Sequence, residues 1–146
     1  MLRRHAVDAR LEELGTDAAT SAAAALAIGC DEAEIVETHM FVCDGLPVLG
    51  LIAGGARIDE VKLAAAAAVR KVRPAEPAEA FAVTGFDPRA VAPIPVPNAT
   101  RVFLDKALLS PETVWIGAGT FRHWVGLAPA DLVRVAGAQT GDLAAD

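Results

Sequence analysis

Cysteine and histidine are scarce in this sequence of 146 residues. Two cysteines cannot build a disulfide framework, and Cys30 and Cys43 are expected as reduced, buried thiols. The three histidines, His5, His39 and His123, stand far apart and have no cysteine or histidine partner at zinc-ligand spacing. The sequence therefore argues against a zinc site, and we expect neither a metal nor a cofactor.

Serine and long apolar segments are also in short supply. Neither Ser21 nor Ser110 sits in a nucleophile elbow, which argues against a serine hydrolase, and no phosphate-binding glycine loop occurs. The alanine-rich runs are too short to span a bilayer. The N-terminal stretch MLRRHAVDAR carries charges where a signal peptide has its apolar core. We therefore expect a cytoplasmic protein with no membrane partner.

Positive charge is the third deficit. The formal net charge is −6, which argues against broad electrostatic capture of nucleic acid and against a DNA partner. The one basic concentration, Arg70, Lys71 and Arg73, is interpreted as the solvated end of a helix. With 53% hydrophobic and 22% charged residues, the length fits one globular domain, residues 1–146.

A β-hairpin is the clearest local pattern. Side chains alternate in character along Val36–Cys43, Asp44 and Gly45 suit a two-residue turn, and residues 48–52 are apolar enough to return as a buried strand. The alternation places Glu37 and His39 on one face, roughly 7 Å apart along the strand. That separation suits a ligand shared by both side chains better than a direct hydrogen bond between them.

Two helices carry long alanine runs. The first is expected over residues 20–28 with Gly29 as its stop, and the second is capped by Asp59 and runs to about Arg70. We expect the second helix to pack its alanine face on the sheet. Lys62, in its first turn, is interpreted as a solvated lysine, with an external partner as the alternative.

The remaining elements alternate strands with helical crossovers. The sequence predicts an α+β fold with a mixed, strongly curved β-sheet and helices packed outside it. The other predicted elements are a strand near residues 5–11, a strand at 72–73, a helix from Pro77, a proline-rich loop over 84–97, strands at 101–104, 113–116 and 124–127, a helix from Pro129 to Val135 ended by Gly137, and a short edge strand within 138–146.

Five stretches together resemble one known family. They are IVETHMFVCDGLPVLGLIAGGARIDEVKLA, KVRPAEPAEAFAVTGFDP, RVFLDKALL, VWIGAG and LAPADLVRVAGA, and they cover nearly all of the chain from about Thr20 onward. The likeness is to the YbaK/ProX family, the aminoacyl-tRNA editing domains that occur free-standing or attached to prolyl-tRNA synthetase. The resemblance implies the same α+β architecture and a metal-free hydrolysis of the ester of a mischarged aminoacyl-tRNA. Its implied partners are the acceptor end of the tRNA and a synthetase.

The family's characteristic lysine is missing. Family members carry it on the first hairpin strand in a segment of the form I-V-K-[ST], and here that segment is Ile35-Val36-Glu37-Thr38. Because a carboxylate accepts where an ammonium donates, the lysine's role cannot pass directly to Glu37. Glu37 and His39 are the candidate catalytic residues, with Glu37 binding an α-ammonium group or acting as a base. The alternatives are a non-catalytic binding module and a solvated face with no function.

The resemblance also implies a substrate pocket between the hairpin and two loops. Its expected substrate-binding residues are Thr38 on the hairpin, Gly117, Ala118 and Gly119 in the turn after a strand, and Arg89 and Pro93 in the loop over 86–97. Arg89 stands at a position where the family usually has glycine. We expect it to supply the positive charge that position 37 lacks, with Glu37 pairing with Arg89 or with the ammonium group of the ligand.

Overall fold

Two β-sheets and three helices make up the described part of the chain. The structure is a computed structural model and describes residues 9–13, 20–76, 101–117 and 123–145. In chain order the elements are β1 Ala9–Glu13, α1 Ser21–Ile28, a 3-10 turn Glu32–Glu34, β2 Val36–Cys43, β3 Leu46–Ala53, α2 Glu60–Ala67, β4 Val72–Pro74, β5 Arg101–Asp105, a 3-10 turn Lys106–Leu109, β6 Val114–Gly117, β7 His123–Leu127, α3 Pro129–Ala136 and β8 Gln139–Gly141.

The predicted hairpin is confirmed. Strands β2 and β3 pair antiparallel with Cys43 opposite Leu46, so that only Asp44 and Gly45 form the turn. Both turn residues have positive φ, 49° and 84°, as a turn that matches the twist of a two-stranded ribbon requires. The hairpin therefore has a register fixed by the turn, and it brings Glu37 and His39 to the same face of β2.

The five-stranded sheet is mixed. Its order is β4-β2-β3-β5-β8, with β5 parallel to both β3 and β8 and the other pairs antiparallel. A second, antiparallel sheet has the order β1-β7-β6, and an isolated bridge between Ile35 and Trp115 joins the two sheets. The predicted α+β class with a mixed sheet and helices is confirmed, whereas its strong curvature stays a prediction.

The five-stranded sheet is buried on both faces. On one face Met40, Leu49 and Leu104 pack with side chains from the second sheet and from α3. On the other face Phe41 and Phe103 pack under α2. Burying one large aliphatic or aromatic side chain contributes roughly 1.5–3 kcal/mol, so these two layers hold the hairpin rigidly between them.

The predicted packing of α2 is wrong in part. The helix ends at Ala67, because Ala68 adopts a left-handed conformation with φ 58°. Leu63 and Ala67, four residues apart, are the buried residues of the helix, while Ala65 and Ala66 in the alanine run are exposed. Residues four positions apart lie on the same face of a helix, so only one side of the alanine run can contact the sheet.

Most other predicted elements are confirmed. Helix α1 begins after Thr20, whose hydroxyl accepts from the Ala23 N–H, and ends at Gly29 with φ 87°. Strand β1 overlaps the strand predicted near residues 5–11 and pairs with β7, while residues 5–8 lie outside the described residues. The predicted helix from Pro77 and the loop over 84–97 lie outside the described residues.

Candidate functional site

An open cleft of about 720 Å³ lies between the hairpin and the segment that leads into α2. Strand β2 provides one wall, and residues 56–61 provide another. Its lining residues in the described part of the chain are Glu37, Thr38, His39, Met40, Phe41, Leu49, Ala56, Arg57, Ile58, Asp59, Glu60, Val61, Pro74, Ala75 and Ala145. A cleft of this size suits a small ligand or the end of a larger one.

The carboxylate of Glu37 is held by three donors. Its Oε1 lies 3.1 Å from Nε2 of His39, and its Oε2 accepts from Oγ of Ser21 at 2.6 Å and from the backbone N–H of Gly55 at 3.2 Å. Its side chain is 29% exposed. These contacts satisfy a carboxylate that partial burial alone would penalise.

Chain geometry brings these donors together. Ser21 is the first residue of α1, and Gly54 and Gly55 turn the chain directly after β3. A Cβ atom on Gly54 would collide with the carbonyl of Glu32 and with the side chain of Ser21. Glycine at position 54 therefore lets the start of α1 approach the end of β3, where both Ser21 and Gly55 reach Glu37.

The electrostatics of the site favour an ionised Glu37. The pKa of Glu37 is lowered from 4.5 to about 2. The hydrogen bond from His39 contributes most to this shift, the bonds from Ser21 and Gly55 act in the same direction, and partial burial opposes it. Glu37 is thus a carboxylate at neutral pH. A carboxylate can only accept, so Nε2 of His39 carries the proton of this bond.

The direct contact between Glu37 and His39 corrects the sequence-based expectation. Their separation along the strand favours a ligand shared by both side chains over a direct hydrogen bond between them. The two side chains instead incline toward each other, because a glutamate and an imidazole can together bridge a backbone separation of about 7 Å. In a neutral imidazole, protonation at Nε2 leaves Nδ1 as the accepting nitrogen. His39, with 49% of its side chain exposed, presents that ring to the cleft.

Of the other predicted site residues, the structure describes only Thr38 and Gly117. Thr38 lines the cleft with Glu37 and His39, whereas Gly117, half-buried at the end of β6, is not among the cleft's lining residues. Ala118, Gly119, Arg89 and Pro93 lie outside the described residues. Their placement opposite Glu37, and an ion pair between Glu37 and Arg89, stay predictions.

Sequence reasoning missed two residues of the site. Ser21 lies 16 residues before Glu37, and no local sequence pattern predicts the contact between its hydroxyl and the carboxylate. Ser21 also lies 2.8 Å from Oε2 of Glu32, but one hydroxyl proton can serve only one of the two carboxylates at a time. Arg57 is the second missed residue, and it lines the cleft on the wall formed by residues 56–61.

Within the described ranges, no group of three or more His, Cys, Asp and Glu side chains is arranged to hold a metal ion. Cys30 and Cys43 are free thiols, and burial raises the pKa of each. No helix in the part of the chain described by the structure is long and apolar enough to cross a membrane.

The fold and the cleft correspond to a known class of domain. The family model described as "Aminoacyl-tRNA editing domain" matches residues 16–135. The chain belongs to this family. The suspected resemblance is therefore confirmed over most of the sequence, including the hairpin that carries Glu37 and the segment that leads into α2.

The chain is also similar to part of several proline–tRNA ligases. The ligase of Streptococcus thermophilus (strain ATCC BAA-491 / LMD-9) is 27% identical over 143 residues, which cover 94% of this chain and 23% of the ligase. The ligase of Streptococcus suis (strain 05ZYH33) is 28% identical over 102 residues, which cover 70% of this chain and 16% of the ligase. The chain thus spans less than a quarter of the length of either enzyme.

Solved structures also match over nearly the whole chain. A proposed trans-editing enzyme for prolyl tRNA synthetase is 30% identical with a TM-score of 0.88, and the match covers 94% of this chain and 87% of that one. The hypothetical protein APE2540 is 27% identical with a TM-score of 0.92, and the match covers 99% and 96% of the two chains.

Proposed function

We propose that this protein edits aminoacyl-tRNA by hydrolysing the ester bond of a mischarged tRNA, acting in trans on the acceptor end. The observation that carries the proposal is a cleft in an editing-domain fold whose wall holds an oriented carboxylate and imidazole pair. The similarity to a proposed trans-editing enzyme for prolyl tRNA synthetase supports it. Because translation is cytoplasmic, the proposal also places the protein in the cytoplasm, with a synthetase as a partner.

In this proposal, Glu37 orients the imidazole of His39, and His39 acts as the base. A carboxylate whose pKa is about 2 is too weak a base to activate water at neutral pH, so Glu37 does not take the proton itself. It instead accepts the Nε2 proton of His39 and thereby fixes the imidazole in the tautomer with a free Nδ1 lone pair. This is the arrangement in which a carboxylate positions a histidine base for hydrolysis.

The reaction is a water attack on the ester. A water molecule adds to the carbonyl carbon as His39 Nδ1 removes one of its protons, and the carbonyl electron pair moves to oxygen. The tetrahedral intermediate collapses, the bond from carbon to the ribose oxygen breaks, and the imidazolium returns the proton to that oxygen. The products are a free amino acid and a tRNA with an intact terminal ribose.

Arg57 supplies the positive charge that position 37 does not. Arg57 lines the cleft on the wall formed by residues 56–61. An arginine donates several hydrogen bonds in a fixed plane and suits a phosphate or a developing oxyanion. We assign it to the terminal nucleotide or to the ester carbonyl, which are the two electron-rich groups that enter the cleft with the substrate.

A deacylation assay tests this function. Purified protein is mixed with a panel of tRNAs carrying radiolabelled wrong amino acids, and release of the amino acid is followed for the wild type and for His39→Gln. We expect the wild type to hydrolyse at least one substrate and His39→Gln to be about 10²-fold to 10⁴-fold slower, since this is the usual contribution of a general base. A wild type that is inactive on every substrate would overturn the editing proposal, and a fully active His39→Gln would overturn the assigned base.

A further inference from the structure

The cleft has one wall that is assembled from distant parts of the chain. Ala145 lines the cleft beside Arg57, Ile58 and Asp59. Its backbone N–H donates to the carbonyl of Arg57 at 2.8 Å, and the Asp59 N–H donates to the carbonyl of Leu143 at 2.8 Å. An isolated antiparallel bridge joins Ile58 and Ala144 between these two bonds. Residues 142–145 therefore behave as a short strand laid along the cleft wall.

Asp105 fixes this segment from the side of the sheet. It is the last residue of β5, it is 2% exposed, and its Oδ1 accepts from the N–H groups of Leu143 at 2.9 Å and Ala144 at 3.2 Å. Its other oxygen accepts from the Ala107 N–H. Such a buried carboxylate serves the fold as a whole, so a variant at position 105 could not separate folding from function.

Lys62 fixes the same segment from the side of α2. Its Nζ donates to the carbonyl of Ala144 at 2.8 Å and lies 3.3 Å from Oδ1 of Asp142. The earlier interpretation of Lys62 as a solvated lysine is therefore wrong, because its side chain is only 24% exposed and bonds within the chain. A cation in the first turn of a helix opposes the helix dipole, and these two acceptors offset that penalty.

We infer that Lys62 is a positioning residue for the substrate cleft. By tying residues 142–145 to α2, its ammonium group holds the wall containing Arg57 at a fixed distance from the opposite wall containing Glu37 and His39. The inference deepens the proposed function, because it assigns to this lysine a role in shaping the site without contact with the substrate. Its kinetic consequence rests on that function, but its structural consequence does not.

The test compares Lys62→Met with Lys62→Arg and with Lys106→Met. Lys106 is exposed on the 3-10 turn after β5, so the control removes the same charge elsewhere on the surface. Amide hydrogen exchange at Asp59 and Ala145 reports directly on the two backbone bonds. We expect about tenfold faster exchange in Lys62→Met, the effect of losing one hydrogen bond to a charged group, and no change in the other two variants.

Substrate binding is measured with a non-hydrolysable amide analogue of aminoacyl-adenosine. We expect Lys62→Met to bind it about tenfold more weakly, with KM raised and kcat changed little, because looser positioning weakens binding more than chemistry at His39. Lys62→Arg should bind the analogue as tightly as the wild type and have the KM of the wild type. Unchanged exchange at Asp59 and Ala145, or faster exchange with unchanged analogue binding, would overturn the inference. A wild type that binds the analogue without hydrolysing tRNA would overturn only the proposed reaction.

Discussion

Glu37 shows how a single strand residue can be kept anionic in a half-buried position. An imidazole, a hydroxyl and a backbone amide all converge on its carboxylate. The resemblance to editing domains predicts a lysine at this position, so the charge there is inverted. An inverted charge needs new partners, and Ser21 and His39 provide them. The site is therefore built around a negative charge.

Glu37 makes the stability of the protein depend on pH. Its pKa is lowered in the folded state, from 4.5 to about 2, so the stabilisation is complete above pH 4.5 and is lost as the pH falls through about 2. We expect Glu37→Gln to lower the free energy of unfolding by about 1–2 kcal/mol at pH 7 and by much less near pH 2.5. Urea denaturation at both pH values measures the difference.

The exposed Glu112 provides the control for this experiment. Glu112→Gln should leave the free energy of unfolding nearly unchanged at pH 7, since surface substitutions usually stay within about 0.5 kcal/mol. If Glu37→Gln lowers the free energy of unfolding equally at pH 7 and at pH 2.5, the result would contradict a stabilising role for the Glu37 carboxylate.

Sequence patterns located part of the site and could not locate the rest. The two-residue period placed Glu37 and His39 on one face because strand periodicity is local. The contact of Glu37 with Ser21 spans 16 residues and that with Gly55 spans 18 residues, so both depend on how the turn after β3 meets α1. Arg57 reaches the cleft for the same reason, through tertiary packing that no local pattern encodes.

At the scale of elements, the turn of the central hairpin depends on backbone conformation. Gly45 has φ 84°, and within the part of the chain that the structure describes a Cβ added there would meet no atom within 4 Å. Gly45→Ala therefore tests backbone strain without a steric clash. We expect a loss of about 1–2 kcal/mol in the free energy of unfolding, the usual penalty for an L-residue in the left-handed region.

Gly117→Ala is the matched control for the turn. A Cβ at Gly117 also meets no atom of the described residues within 4 Å, but Gly117 does not have a positive φ. Thermal or urea denaturation should therefore find Gly117→Ala as stable as the wild type or more stable. If the two variants lose the same stability, conformational strain at Gly45 does not explain its preference for glycine.

Helix α2 shows where element prediction reaches its limit. Its capping residue was predictable, and Asp59 accepts from the N–H groups of Val61 and Lys62. The residue at which the helix ends and the face that it buries were not predictable, because a run of alanines has no contrast between polar and apolar sides. The carboxylate of Asp44 also accepts from the backbone N–H groups of Arg70 and Lys71, which directs the chain from α2 toward the hairpin turn.

At the scale of the whole molecule, the net charge of −6 opposes binding of a polyanion. Arg70, Lys71 and Arg73 lie just before and on β4, next to Pro74 and Ala75 at the cleft. We expect affinity for whole tRNA to be weak and to fall on the order of tenfold between roughly 50 and 200 mM salt, as a few phosphate contacts predict. Filter binding or fluorescence anisotropy across this range measures how the affinity for tRNA changes with salt concentration. Tight binding that does not depend on salt would contradict the expectation.

The sheet topology was only partly accessible from the sequence. The hairpin of β2 and β3 and the pairing of β6 with β7 follow from adjacent strands and short connections. The parallel pairs of β5 with β3 and β8 join strands that are distant in sequence. The alternation of strands with helical crossovers, in agreement with the family resemblance, predicted a mixed sheet but not which strands pair in it. The placement of residues 142–145 along the cleft wall likewise arises only when the sheet has formed.

The proposed editing site depends on an anionic Glu37 paired with His39. The most direct measurement is deacylation of the misacylated tRNA panel by the wild type and by Glu37→Lys under identical conditions. We predict an active wild type and a Glu37→Lys variant that is slower by about 10²-fold or more, because the lysine can neither orient the imidazole nor accept its proton. An inactive wild type beside an active Glu37→Lys would contradict the claim, since it would show that the site needs the lysine that this chain lacks.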